Sequence, residues 1–146
     1  MIGCGYLGAV HAACMADLGH DVVGVEVDEH RVTALASGRA PFHEPGFDEL
    51  LTRALGTGRL RFTSDIAEAA GAQVHFLCVG TPQLADGLGA DLSYVDAAMT
   101  ALVPLLRPHA DGPVVVVGKS TVPVGTAERL AAQIAEGAPA SGAVLV

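Results

Sequence analysis

Short apolar runs alternate along this chain with segments whose apolar positions recur at helical spacing. The runs at 21–27, 60–63, 73–79, 113–118 and 143–146 are mostly Val-rich and predict β-strands. The third and fourth are nearly continuous hydrophobics, the pattern of parallel strands covered on both faces. Helices are predicted between them. Residues 6–18 are apolar almost all round, which suits a buried helix. Residues 30–37 are amphipathic, with Asp28 as N-cap and Gly38 as stop, and 47–55 follow Pro45-Gly46. A short helix over 64–70, a long one over 92–106 with Asp91 as its cap, and one over 126–136 complete the set. The alternation predicts an α/β fold, a Rossmann-type doubly wound parallel sheet, and the 80–91 loop is the longest irregular stretch. Only Met1 and Ile2 precede the first glycine, and 143–146 reads as a strand just begun. The first strand and the carboxyl end are therefore both expected to be cut short.

The chain's 146 residues suit one domain over 1–146, able to bury roughly 68–70% of its unfolded surface. With 51% hydrophobic and 16% charged residues, disorder is excluded. No apolar run approaches the roughly 20 residues of a membrane span. The net charge of −8, without Trp, argues against a nucleic-acid surface. Cys4, Cys14 and Cys78 show neither disulfide nor zinc spacing, and the opening residues do not resemble a signal peptide, so a reducing, cytoplasmic setting is expected. No metal site is predicted. Surface or capping roles are expected for all six histidines, and Arg59 and Arg61 are expected to be solvated. Lys119 is the only lysine.

Gly3-Cys4-Gly5-Tyr6-Leu7-Gly8 matches G-x-G-x-x-G between a strand remnant and an apolar helix. Gly3 would permit the tight turn, Gly5 the approach of a pyrophosphate to the backbone, and Gly8 close packing of the helix. The free N–H groups at the helix start, with its dipole, would then hold phosphates. Glu26 ends the next strand, where a carboxylate accepts hydrogen bonds from the adenosine ribose and repels a 2′-phosphate, favouring NAD over NADP. The alternative is a packing turn with Glu26 merely solvated.

These residues, with Gly19-His20-Asp21-Val22-Val23-Gly24-Val25, Glu44-Pro45-Gly46, Val79-Gly80-Thr81-Pro82, Ala90-Asp91-Leu92-Ser93-Tyr94-Val95 and Lys119-Ser120-Thr121-Val122-Pro123-Val124-Gly125-Thr126, resemble the UDP-glucose/GDP-mannose dehydrogenase family. The Lys119–Thr126 run looks most like the members acting on UDP-glucose; members acting on GDP-mannose or UDP-N-acetylhexosamines remain an alternative. The resemblance implies oxidation of a nucleotide-sugar alcohol to an acid by two hydride transfers to NAD through a covalent cysteine adduct, in support of polysaccharide biosynthesis. It implies NAD contacts from Gly3, Gly5, Tyr6, Leu7 and Gly8, from Glu26 (where the family usually has Asp) and Arg31, and from Gly80, Thr81 and Pro82. Ser120 and Thr121 would reach the nicotinamide, with Thr121 holding a catalytic water. The catalytic cysteine, the sugar-nucleotide domain and a dimer helix are expected beyond Val146, so the partner is a nucleotide sugar and the full-length form a homodimer. Cys4, Cys14 and Cys78 are expected to be structural, buried and inert. A stand-alone or degenerate NAD-binding module is the other reading.

Overall fold

The computed structural model describes residues 1–146 and divides into two compact units, Met1–Glu68 and Ala69–Val146. In the first unit, β1 (Val22–Val25) and β2 (Leu60–Thr63) pair in parallel, Val22 opposite Leu60 and Val25 opposite Thr63. The residues before the glycine turn lie along β1: Val25 donates to the Met1 carbonyl at 2.8 Å and Gly3 to the Val25 carbonyl at 2.9 Å. Ile2 makes one parallel bridge, with Val25.

Helix α1 (Tyr6–Asp17) packs on β1 and on α3 (Phe47–Gly56). It is not buried all round. Gly8, Ala9, Ala12, Ala13 and Ala16 are buried, whereas Tyr6 and Leu7 are about half exposed. Only the small residues face the core, because close helix–sheet approach leaves no room for larger ones. Arg53 grips Asp17 with two hydrogen bonds, Nε to Oδ1 at 2.7 Å and Nη2 to Oδ2 at 3.1 Å, tying α3 to the end of α1. Helix α2 (Glu29–Ala36) begins as its sequence predicts: the Asp28 carboxylate accepts from His30 and Arg31 amides, and Gly38 takes the left-handed φ of +77° that ends it. Arg59 and Arg61 are not simply solvated. They pair at the surface with Asp21 and Glu68, each at 3.0 Å.

Gly24 in β1 faces the ring of Phe62 and the Cys4 sulfur, and a Cβ there would lie 2.5 Å from Phe62 and 2.9 Å from Cys4 Sγ. Gly24→Ala is expected to cost about 1–3 kcal/mol by overpacking, seen as a lower thermal midpoint. Phe62→Leu in the same chain should recover part of the loss, and an unchanged midpoint for the single variant would refute the close approach.

In the second unit, β3 (Val74–Leu77), β4 (Val115–Gly118) and β5 (Val144–Leu145) form a parallel sheet in the order β3-β4-β5. Coverage of β3 and β4 is incomplete, since Val74 is exposed and Val115 and Val117 are half-buried. Helix α4 (Ser93–Leu102) is shorter than the predicted 92–106, because Pro104 cannot continue the ladder and Val103–Leu105 tighten into a 3-10 turn. Asp91 acts one residue before the N-cap, which is Leu92, and accepts from the Ser93 amide at 2.9 Å. Helix α5 (Thr126–Gly137) packs on β5 and on that 3-10 turn. The predicted 64–70 helix is only a 3-10 turn, Ile66–Ala69, too short to nucleate an α-helix.

Two core residues depart from their expected roles. His75 in β3 is 2% exposed, neither on the surface nor capping a helix. Cys14 is half-buried rather than buried, unlike Cys4 and Cys78. No helix is long and apolar enough to cross a membrane, and no three His, Cys, Asp or Glu side chains converge as a metal site.

Candidate cofactor-binding site

The glycine-rich turn leaves β1's side of the first unit and enters α1 through two different backbone devices. Gly3 has φ +88°, a left-handed value that the tight turn requires. Gly5 is the N-cap in extended conformation, and a Cβ on it would meet nothing within 4 Å, so its outer face is open to a ligand. The helical ladder begins with the Ala9 amide on the Gly5 carbonyl at 3.0 Å. The amides of Tyr6, Leu7 and Gly8 therefore precede it, which is the donor set an anion uses at a helix start.

Glu26 is not solvated. It is 6% exposed, one carboxylate oxygen accepting from the Cys4 amide and the other from the Asp28 amide, each at 3.1 Å. One side chain thus joins the end of β1 to the glycine turn and to the cap of α2. Arg31 stands 3.9 Å from Glu26 and 3.6 Å from Asp28, on the exposed side of the carboxylate. The structure accordingly brings Gly3, Gly5, Tyr6, Leu7, Gly8, Glu26 and Arg31 to one corner of the first unit. Each Glu26 oxygen carries one amide and retains accepting capacity, so the corner fits a ribose as well as a diphosphate.

Sequence reasoning missed how the turn's outer side is held. The Tyr6 hydroxyl donates to the Glu44 carboxylate, and the Tyr6 ring lies 5.1 Å from Phe42. The carboxylate holds the Tyr6 phenol above its ordinary pKa. Nothing local in the sequence links Glu44 to a tyrosine 38 positions earlier.

In the second unit the loops after β3 and β4 are stitched together. Ser120 Oγ donates to the Val79 carbonyl at 2.7 Å, and Thr81 Oγ1 donates to the Thr121 carbonyl at 2.9 Å. The Ser120 hydroxyl is thereby turned back on the backbone, while the Thr121 side chain stands exposed. Gly80 and Pro82 are exposed, and the Pro82 carbonyl accepts from the Asp91 amide at 2.7 Å, closing the base of a small hairpin. That hairpin, bridged at Gln83 and Ala90, gives order to a stretch that sequence leaves irregular. Lys119 is exposed. Burial pushes the Cys78 thiol up, as expected of an inert core cysteine.

A parallel α/β chain with a glycine turn at a helix start and a carboxylate ending the next strand is a dinucleotide-binding protein by class. The match to a family model then fixes which kind: over residues 1–144 the chain belongs to the UDP-glucose/GDP-mannose dehydrogenase family, as its NAD binding domain. It is 46% identical over 147 residues to a UDP-glucose 6-dehydrogenase of Rhizobium meliloti, covering 100% of this chain and 33% of that protein. Among solved structures it resembles a UDP-glucose dehydrogenase from Pyrobaculum islandicum (44% identity, TM-score 0.84, 99% of this chain and 33% of that one). It also resembles a GDP-mannose dehydrogenase from Pseudomonas aeruginosa (32% identity, TM-score 0.89, 99% of this chain and 34% of that one). The chain spans about a third of the length of the curated relatives it matches.

Proposed function

We propose that residues 1–146 act as one NAD-binding domain and form the cofactor part of a UDP-glucose 6-dehydrogenase, which oxidises UDP-glucose to UDP-glucuronate. The observation that carries the reading is the Glu26 carboxylate clasping the Cys4 amide beside the open amides of Tyr6, Leu7 and Gly8. Those amides take the diphosphate, and Glu26 with Arg31 takes the adenosine ribose. Gly80, Thr81, Pro82, Ser120 and Thr121 serve the nicotinamide end, Thr121 holding a water and Ser120 and Thr81 fixing its loop through the two stitches described. NAD, when bound, supplies the hydride acceptor. UDP-glucose is favoured over GDP-mannose by the identities to curated members, 41–48% against 38–39%. The nucleophilic cysteine of the family is not Cys4 or Cys78, both buried. The whole protein is proposed to be a homodimer that takes the nucleotide sugar as its small-molecule partner.

Calorimetric titration tests the cofactor assignment. NAD is expected to bind, and NADP to bind at least about tenfold more weakly, because a 2′-phosphate meets the Glu26 carboxylate. A folded chain giving no heat with NAD, or preferring NADP, overturns the reading.

A further inference from the structure

The outer wall of the glycine turn is built from a segment far away in sequence. Tyr6 is the first residue of α1, and its side chain points out from the helix, 54% exposed. Two groups from the 39–46 loop nonetheless hold it: the Glu44 carboxylate on its hydroxyl and the Phe42 ring 5.1 Å away at 58°. Phe42 in turn stacks on Phe47, ring centres 5.3 Å apart and planes 16° apart, and Phe47 is buried at 2% exposure at the start of α3. The loop is tied to that same first turn at two points. The Phe47 amide donates to the Glu44 carbonyl at 3.1 Å, and the Ala40 amide to the Asp48 carboxylate at 2.8 Å. A continuous line of contacts therefore runs from the core through Phe47 and Phe42 to the residue whose own amide opens the phosphate-binding turn.

We propose that Glu44 and Tyr6 are positioning residues for the NAD diphosphate, Glu44 anchoring the tyrosine so that the amides of Tyr6, Leu7 and Gly8 keep their aim. The inference rests on the glycine turn being the NAD site, and it adds a residue outside the turn that governs affinity.

The test is NAD titration of the wild type, Tyr6→Phe, Glu44→Ala and Glu44→Gln, with amide hydrogen exchange of the NAD-saturated proteins read at Tyr6, Leu7 and Gly8, where the bound diphosphate protects them. Tyr6→Phe and Glu44→Ala are each expected to weaken NAD binding about fivefold, the worth of one hydrogen bond. Exchange at the three amides should quicken, with little change at α3. Glu44→Gln still accepts the phenol proton and should stay within about twofold of wild type. Wild-type affinity in Tyr6→Phe overturns the proposal, as does tighter binding in Glu44→Ala or a glutamine no better than alanine. If either affinity variant misfolds, the exchange comparison on Glu44→Gln decides: accelerated exchange at the three amides in that variant also overturns it. A wild type that ignores NAD instead overturns the site assignment itself, and this inference with it.

Discussion

Replacing His75 with leucine is expected to flatten the loss of stability that the wild type suffers between pH 6.5 and 4. His75 sits in β3 opposite Val116, 2% exposed, with its Nε2 buried and without a hydrogen-bond partner. Burial pushes its pKa from 6.5 down to about 4, against a smaller upward pull from a hydrogen bond to the Ala72 backbone. The folded value lies below the unfolded one, so the unfolded chain binds the proton first. The contribution of a neutral His75 is fully present above pH 6.5, is lost as the pH falls, and stops changing once the pH is below about 4. The shift is worth about 3 kcal/mol over that window. Urea unfolding at pH 7.5 and pH 4.5 measures it. At pH 7.5 the leucine variant should lie within about 1 kcal/mol of wild type, since a lost hydrogen bond is offset by removal of an orphaned polar atom. Equal pH dependence in the two proteins would show that His75 is not held neutral by the core.

Glu26→Ala is expected to damage folding and cofactor binding together. Its removal breaks the hydrogen bond that the fully buried Cys4 amide makes to the carboxylate, costing about 1–3 kcal/mol, and frees the amide of Asp28 near the surface. NAD affinity should fall by about tenfold or more, because a charged acceptor for the ribose goes with it. The conservative variants separate the two roles. Glutamine has one accepting oxygen where two amides need one each, so Glu26→Gln keeps half of the clasp. Aspartate is one methylene shorter and cannot reach both amides from the same backbone position, though it keeps the charge. The expected stability order is Glu, then Gln and Asp, then Ala, read by urea denaturation. NAD titration should place Asp above Gln. An alanine variant as stable as wild type would mean that the Cys4 amide finds another partner.

The elements of this chain were legible where the signal is local. Asp28 caps α2 and Gly38 ends it because both effects act within a turn of backbone. Residues 60–63 form β2 as predicted because a short apolar run bounded by Gly58 and Ser64 admits little else. The glycine turn was readable for the same reason, its φ of +88° at Gly3 being a demand on one residue. The 92–106 segment was overextended because apolar spacing continues past Leu102 while Pro104 breaks the ladder. What stayed hidden depends on partners distant along the chain. The sequence marks Glu26 as a carboxylate at a strand end, but not that it turns back to an amide 22 residues earlier. His75 fits strand alternation on either face, so its burial is decided by tertiary packing alone. Tyr6 and Glu44 meet only because α3 packs on α1 and brings its preceding loop along.

The row of Gly8, Ala9, Ala12, Ala13 and Ala16 along α1 carries a further implication for how this molecule can vary. Each position already holds one of the two smallest side chains, so drift there has nowhere to go without prising the helix off the sheet. Mutational tolerance here must therefore be sharply one-sided, with the exposed Leu18 that caps the helix free to change and the inner row closed to enlargement.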